Sequence, residues 1–272
     1  MLRKLIFTLL IPVLFAACYS SKQSSPMKRS FISNKVIAHR GAWKNTGTPQ
    51  NSVASLEAAF KLGCEGTEFD IRMTADSVII LNHDADHQGL EIEKTSYADL
   101  QLKPLKNGEP LPTLETIIKK GLAQNKTKLI AEIKTSPAGK ERSIYLAEKV
   151  VEMVHRLKAR QHTIYISFDY DVCKRIRQMD KGAPVQYLNG DRSPEQLKAD
   201  GLDADYHFNV IRKDPEWIAK AHAAGIVVNA WTVNDTLMMD SFLQQGIDYI
   251  TTDEPELLLQ RPLIRQFVSQ QK

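Results

Sequence analysis

The stretch Thr67-Glu68-Phe69-Asp70-Ile71-Arg72 combines two carboxylates with the alternation of a β-strand. Side chains two residues apart in a strand point to the same face, so Glu68 and Asp70 can converge on one cation while Phe69 faces the other way. On both sides of this stretch, apolar β-branched runs alternate with amphipathic segments. That alternation is typical of a parallel sheet covered by helices.

The predicted fold is an α/β TIM (β/α)8 barrel with a small insertion after the third strand candidate. The strand candidates are residues 36–39, 67–72, 78–83, 128–133, 163–168, 185–188, 204–208, 226–232 and 249–252. The helix candidates are residues 52–62, 114–123, 142–159, 170–179, 194–200, 215–224 and 236–245. Nine strand candidates exceed the eight of a barrel, and residues 73–77 are too few for a crossover helix, so one candidate is not a regular barrel strand. Residues 86–112 have mixed polarity and are predicted to form the insertion.

Candidate site residues fall at the ends of these strands, where TIM barrels carry their active sites. His39 and His83 each end a strand candidate, and Glu132 lies near the end of another. Together with Glu68 and Asp70, Glu132 completes a set of oxygen ligands that suits one Ca²⁺ or Mg²⁺ ion better than Zn²⁺. Carboxylates and histidines in this arrangement indicate metal-assisted chemistry on a phosphate ester.

The N-terminus has the pattern of a bacterial lipoprotein signal. Arg3 and Lys4 precede an apolar run over residues 5–15, which is too short to span a bilayer comfortably, and Ala16-Ala17-Cys18 follows it. An ordinary secretory signal with an incidental cysteine is the alternative, because Phe15 is unusual three residues before such a cysteine.

This pattern predicts three parts of the chain. We expect residues 1–17 to be removed, residues 18–34 to form a flexible tether from a lipid-modified Cys18, and residues 35–272 to form one folded domain. The protein would then be exported and held at a membrane of the bacterial envelope.

The net charge of +4 is misleading for the domain. Residues 1–35 carry six basic side chains and no acidic one, so the remainder has a net charge of −2. Nucleic-acid binding normally needs a basic face, and the sequence gives no support for it.

Six short motifs occur in the order and spacing of a known family. They are His39-Arg40-Gly41, Glu68-Phe69-Asp70, His83-Asp84, Glu132-Ile133-Lys134, Trp231-Thr232-Val233-Asn234 and Thr252-Asp253-Glu254-Pro255. Over nearly all of residues 36–258, the chain resembles the glycerophosphodiester phosphodiesterase family. The resemblance implies a TIM barrel that uses a divalent metal, often Ca²⁺ or Mg²⁺, to hydrolyse glycerophosphodiesters to glycerol 3-phosphate and an alcohol.

The resemblance also implies roles for individual residues. These are Glu68, Asp70 and Glu132 as metal ligands, His39 and His83 as the acid and base, and Arg40, Asn51, Lys134 and Trp231 as binders of phosphate or substrate. Asn51 could instead orient a neighbour. Which histidine is the acid stays open, as does whether water or a neighbouring glycerol hydroxyl attacks first.

Two positions depart from the family pattern. The family usually has Pro-Glu-Asn-Thr or Pro-Glu-Asn-Ser after its first motif, whereas this chain has Pro49-Gln50-Asn51-Ser52. Gln50 keeps the size of a glutamate without its charge, which weakens any metal or hydrogen-bond role of that carboxylate. Residues 85–90 replace the usual run after His83-Asp84, which leaves the alcohol preference open.

Other reactive side chains have structural interpretations. Cys64 and Cys173 have apolar surroundings and no CxxC spacing, so we expect buried thiols rather than a disulfide. Asp253 is interpreted as the cap of a turn or helix before Pro255. We interpret the remaining histidines as structural, namely His87, His155, His162, His207 and His222.

Two other functions fit the same residues. A phospholipase C or D acting on intact lipid would suit a membrane anchor, although only residues 100–105 could hide an apolar loop that enters the membrane. A lipoprotein that binds a phosphorylated ligand without turnover is favoured by Gln50 alone. The intact histidine pair and carboxylates favour a hydrolase with a small-molecule glycerophosphodiester substrate.

Overall fold

The computed structural model describes Phe31 and residues 33–270, and the strands of this part form a barrel. In chain order they are β1 (Val36–Ala38), β2 (Gly66–Met73), β3 (Ile79–Leu81), β4 (Asp86–His87), β5 (Leu90–Glu91), β6 (Lys128–Ile133), β7 (Thr163–Ser167), β8 (Val185–Tyr187), β9 (Asp203–His207), β10 (Val228–Trp231) and β11 (Tyr249–Thr252).

Eight of the described strands, β1, β2 and β6 to β11, pair in parallel in that order around the barrel. Pairing of β1 with both β2 and β11 closes it, which confirms the predicted TIM barrel. Strand β3 lies outside the barrel and pairs antiparallel with β2, where Ile71 stands opposite Leu81. Residues 78–83 are therefore the candidate that is not a barrel strand.

Helices surround the barrel. Those of the described residues are α1 (Val53–Leu62), α2 (Tyr97–Gln101), α3 (Leu114–Leu122), α4 (Lys140–Arg156), α5 (Tyr170–Met179), α6 (Pro194–Asp200), α7 (Phe208–Ile211), α8 (Trp217–Ala223), α9 (Thr236–Gln244), α10 (Pro255–Leu259) and α11 (Pro262–Ser269). The bounds of the seven predicted helices agree within three residues. The sequence reading did not predict the short helices α2, α7, α10 and α11.

The barrel strands are buried on both faces, and their alternation separates two apolar layers. One layer lies between strands and helices, and the other fills the barrel with Ile37, Ile130, Ile164, Ile166 and Leu188. Gly66 faces this inner layer, because a Cβ there would lie 2.6 Å from Ile37 Cδ1. Residues two and four positions further along β2 share that face, so their carboxylates point into the barrel at its C-terminal end.

The predicted insertion at residues 86–112 folds as a hairpin of β4 and β5, a 3₁₀ turn over Ile92–Lys94 and helix α2. A small apolar cluster joins it to β3, since Ile92, Leu100 and Leu111 of the insertion pack with Ile80 of that strand. The insertion therefore packs on the barrel as a separate layer outside β3.

The predicted signal peptide, Cys18 and most of the tether lie outside the described residues. Asn34, which we placed in the tether, is buried: its backbone N–H donates to Glu65 Oε2 at 2.9 Å and its amide donates to Gly63 O at 2.8 Å. Folded structure therefore extends at least one residue before the predicted boundary. Within the described part, no helix is both long and apolar enough to cross a membrane. Cys64 and Cys173 are buried free thiols, as predicted.

Candidate active site

The turn after β1 is tight and depends on a glycine. Arg40 and Gly41 have φ values of 55° and 83°, in the left-handed region that favours glycine. A Cβ on Gly41 would lie 2.4 Å from Ser55 Oγ, so a larger residue would push α1 away. The turn points the backbone N–H of Arg40 at Glu68 Oε2, to which it donates at 2.9 Å.

His39 is held between two carboxylates. Its Nδ1 lies 2.8 Å from Asp253 Oδ1, and its Nε2 lies 3.9 Å from Glu68 Oε2. Asn234 fixes Asp253 in turn, since its amide donates to Asp253 Oδ2 at 2.8 Å and its Oδ1 accepts the Asp253 N–H at 2.8 Å. Burial opposes ionisation of Asp253, but the hydrogen bond and charge of His39 lower its pKa overall. Asp253 is therefore an ionised partner that orients His39.

The cap interpretation of Asp253 was wrong, because the residue before α10 is Glu254 and the Asp253 carboxylate contacts a predicted catalytic residue instead. Its place directly after β11, at the C-terminal end of the barrel, was the sequence signal for this role.

The three predicted metal ligands converge. Glu68, Asp70 and Glu132 are buried, and each offers an oxygen within 4.8 Å of the others. Two cations lie against them: Arg40 Nε is 3.2 Å from Asp70 Oδ2, and Lys134 Nζ is 2.7 Å from Glu132 Oε1 and 3.3 Å from Asp70 Oδ1. Two positive charges thus face three carboxylates.

The electrostatics of this cluster leave room for a further cation. Burial, together with the charges of its two acidic neighbours, raises the pKa of Glu68 well above its usual range. Burial and Asp70 raise the pKa of Glu132 to about 7 although Lys134 opposes them. For Asp70, Lys134 and Arg40 outweigh the effect of burial and lower the pKa. Glu68 Oε1 is buried with no hydrogen-bond donor among the described residues. The cluster could therefore bind a divalent metal ion.

Asn51 orients Asp70. Its amide donates to Asp70 Oδ2 at 2.8 Å, and its Oδ1 accepts the Asp70 N–H at 3.0 Å. Of the two roles considered for Asn51, these contacts show the orienting one. The phosphate contact stays a prediction, since the side-chain amide has a second N–H that these contacts do not use. Gln50 retains a hydrogen-bond role, because its Oε1 accepts from Arg40 Nη1 at 2.8 Å.

His83 lies in the loop after β3 and is partly exposed. Its Nδ1 is 2.7 Å from Asp84 Oδ1, and its backbone oxygen accepts from Arg72 Nη2 at 2.8 Å and Nε at 3.0 Å. Burial, aided by the charges of the nearby Lys134 and Arg40, lowers the pKa of His83 despite its acidic neighbours. Arg72 was not among the predicted site residues. It shares a strand face with Asp70, and its side chain fixes the loop that carries His83.

One cavity of about 260 Å³ brings these groups together. Its charged side is formed by His39, Arg40, Glu68, His83, Glu132 and Lys134. Its apolar side is formed by Ile166, Phe168, Leu188 and Trp231. Trp231 ends β10 at this cavity, as predicted, and its ring meets Phe168 edge-on with centroids 5.5 Å apart. A larger cleft of about 490 Å³ lies between the insertion and α4, and none of Glu68, Asp70 and Glu132 lines it.

Comparison with known proteins agrees with this geometry. Residues 39–257 match the model of the Glycerophosphoryl diester phosphodiesterase family. The chain belongs to this family. All the predicted catalytic and metal-binding residues fall within the matched segment.

Individual members of the glycerophosphoryl diester phosphodiesterase family are similar along most of their length. A glycerophosphodiester phosphodiesterase from Parabacteroides distasonis has a crystal structure that is 39% identical with a TM-score of 0.81, covering 89% of this chain and 99% of that one. The Glycerophosphodiester phosphodiesterase of Caldanaerobacter subterraneus subsp. tengcongensis is 26% identical over 245 residues, covering 82% of this chain and 96% of that protein. An Oleispira antarctica phosphodiesterase, solved in complex with the product sn-glycerol-3-phosphate, is 23% identical with a TM-score of 0.69, covering 87% of this chain and 96% of that one.

Proposed function

We propose that this protein is a metal-dependent phosphodiesterase that hydrolyses glycerophosphodiesters to glycerol 3-phosphate and an alcohol. The observation that carries the proposal is that a cluster of three buried carboxylates adjoins one cavity lined by two cations and two histidines, in a family member. The product-bound phosphodiesterase from Oleispira antarctica supports the same substrate class.

The substrate's phosphodiester anion needs a binding site that supplies positive charge and hydrogen-bond donors. Arg40 and Lys134 supply both at the edge of the carboxylate cluster, where they line the cavity. Asp70, ionised and fixed by Asn51, keeps the two cations in place. These side chains would bind the non-bridging phosphoryl oxygens and stabilise the charge that develops during attack.

The carboxylate cluster fits a hard divalent cation, and we propose Ca²⁺ or Mg²⁺, because all three ligands are oxygens. Such an ion, held by Glu68, Asp70 and Glu132, would neutralise phosphoryl charge and lower the barrier to attack. Glu68 Oε1, which has no hydrogen-bond donor in the described part of the chain, supports this assignment.

His39 and His83 would divide the proton transfers. One accepts the proton of the attacking hydroxyl as its oxygen bonds to phosphorus. The other donates a proton to the alkoxide that leaves as the second P–O bond breaks. Asp253 fixes the ring of His39, and Arg72 fixes the backbone of His83, so each histidine has its own support. Attack by water and attack by a neighbouring glycerol hydroxyl both use this pair.

The test is release of glycerol 3-phosphate from a panel of glycerophosphodiesters by the purified full chain with Ca²⁺, Mg²⁺ or a chelator. We expect metal-dependent release that His39→Ala reduces by about a hundredfold or more, because a positioned acid or base contributes that much. His222→Ala is the matched control, since His222 pairs with Asp248 outside the cavity.

Three results would contradict the proposal. Release of glycerol 3-phosphate that continues in chelator would refute the metal dependence. Cleavage of intact phospholipid in preference to glycerophosphodiesters would favour a phospholipase. Binding of the diester without turnover by a folded chain would favour a binding lipoprotein.

We also propose that the protein is exported and lipid-anchored through Cys18. The support is the sequence pattern of residues 1–18 alone. Radiolabelled palmitate fed to expressing bacteria should label the wild type and not Cys18→Ser; equal labelling of both would refute the anchor.

A further inference from the structure

Asp205 is a carboxyl group in the wall of the active-site cavity that the proposed chemistry leaves unused. It lies in β9, 1% exposed, and it lines the same cavity as the two catalytic histidines. Its Oδ1 is buried and has no hydrogen-bond donor among the described residues. Buried polar atoms are nearly always hydrogen-bonded, so this oxygen calls for a partner inside the cavity.

Asp205 is also fixed in position beside the aromatic wall. Its backbone oxygen accepts from Trp231 Nε1 at 2.9 Å, which ties the indole ring to the strand that carries the carboxyl group. Behind them, the Asn229 amide donates to Thr251 Oγ1 at 2.7 Å. The carboxyl group and the ring therefore present one rigid surface to the cavity.

The side chains on the charged side and on the apolar side of the cavity indicate which ligand this surface can bind. Arg40 and Lys134 lie on the charged side, so the phosphoryl group belongs there. A carboxyl group would not favour a phosphate, and the apolar side chains of Leu188 and Trp231 line the same cavity as Asp205. A short polyol suits this wall, because its carbon chain can pack on a ring while its hydroxyl groups hydrogen-bond a carboxyl.

Burial raises the pKa of Asp205 to about 8 and the charge of Glu132 adds to this effect, although the nearby Asn229 amide opposes the shift. A carboxyl group that is mostly neutral near pH 7 can both donate to and accept from a hydroxyl. It also avoids repelling the phosphate a few atoms away on the same ligand.

We propose that Asp205 binds a hydroxyl of the glycerol moiety and thereby selects glycerol-containing phosphodiesters over those with a plain alkyl group. This inference rests on the proposed function, since it assumes that a glycerol phosphate occupies the cavity. Asp205 is a specificity-determining residue in this assignment, because glycerol is the part that all substrates of the class share.

The test compares two monoesters of equal charge, glycerol 3-phosphate and n-propyl phosphate, by calorimetric titration of the full chain with Mg²⁺ present. We expect the wild type to bind glycerol 3-phosphate about tenfold more tightly, as one or two hydrogen bonds would give. Asp205→Leu should lose this preference while its affinity for propyl phosphate stays within about twofold. Asp205→Asn should retain part of the preference, because a carboxamide still hydrogen-bonds.

Asp203→Asn is the matched control. Asp203 lies two residues earlier on β9, accepts the Val227 N–H at 2.9 Å, and does not line the cavity, so its variant should keep the full preference. Where Asp205→Leu does not fold, Asp205→Ala replaces it with the same expected loss.

An undiminished preference in the folded leucine or alanine variant would overturn the inference, as would equal weakening of both ligands or no preference in the wild type. Hydrolysis is measured separately on the same samples. If the wild type is inactive but prefers glycerol 3-phosphate, the proposed activity is refuted and the glycerol contact stands. If it is active but has no such preference, the activity stands and the glycerol contact is refuted.

Discussion

At the scale of single residues, the contact with Asp253 orients the ring of His39, for which we propose a catalytic role. The ring is fixed at Nδ1, so its Nε2 is the nitrogen that faces the carboxylate cluster. Carboxylate partners of this kind set both the tautomer and the direction of a histidine. Without Asp253, the ring could turn or present the wrong nitrogen.

Asp253→Asn should lower kcat by about a hundredfold with a smaller change in KM, because the proton transfer depends on ring orientation while phosphate binding does not. Steady-state kinetics with a glycerophosphodiester measure both values. Asp248→Asn, which alters the exposed pair with His222, controls for loss of a similar contact elsewhere. Equal losses of kcat in the two variants would mean that Asp253 acts only through general stability.

At the scale of elements, the insertion is attached to the barrel through the N-terminus of α1. Ser52 Oγ accepts the Ser55 N–H at 3.0 Å, while the Glu109 carboxylate accepts from Val53 N at 2.9 Å and from Ala54 N at 3.3 Å. Three of the four free N–H groups at this helix end are thus satisfied, and a negative charge meets the positive end of the helix dipole. Asn51, which orients the Asp70 carboxylate, immediately precedes this cap.

Glu109→Ala should lower the free energy of unfolding by about 1 kcal/mol, since it removes a charged helix cap. Urea denaturation followed by circular dichroism gives the change. Glu91→Ala serves as a control within the insertion, because Glu91 makes an exposed ion pair with Lys94. If the two variants lose the same stability, the cap does not join the insertion to α1.

At the scale of the whole molecule, stability in acid depends on carboxylates that the closed barrel and its helices hold ionised. Asp180, buried after α5, accepts hydrogen bonds from Arg160 and, at 2.8 Å, from His155 Nε2. The hydrogen bond from Arg160 and that from His155 lower its pKa to about 2 against the effect of burial. Its folded pKa lies below the ordinary value of 3.8. Asp180 therefore stabilises the fold above about pH 4, and this contribution is lost as the pH falls towards 2.

Asp180→Asn should be less stable than the wild type by up to about 2 kcal/mol at pH 6, and the gap should shrink as the pH falls from 4 to 2. Urea unfolding at a series of pH values measures this gap. Asp171→Asn, at an exposed site paired with Lys140 and Lys174, should show a smaller gap. A gap for Asp180→Asn that is constant with pH would assign its effect to packing rather than charge.

The barrel, the carboxylate cluster and the place of Trp231 at the cavity could be predicted from the sequence alone. These depend on local regularities: alternation within β2 and β6 places Glu68, Asp70 and Glu132 on inner faces, and parallel strands bring their C-terminal ends together. The sequence also predicted that one of the nine strand candidates is not a barrel strand, because the gap after Arg72 is too short for a crossover helix.

How the loops support those residues could be seen only in the folded barrel. Asp253 and His39 are 214 positions apart and meet because β1 pairs with β11 to close the barrel. Asn51 meets Asp70 through both polar atoms of its side chain, across 19 positions of the chain. The position of Asp205 in the cavity wall likewise depends on how eight strands close around it. Such contacts join distant segments through side-chain directions that no local pattern encodes, whereas strand alternation is written into every few residues.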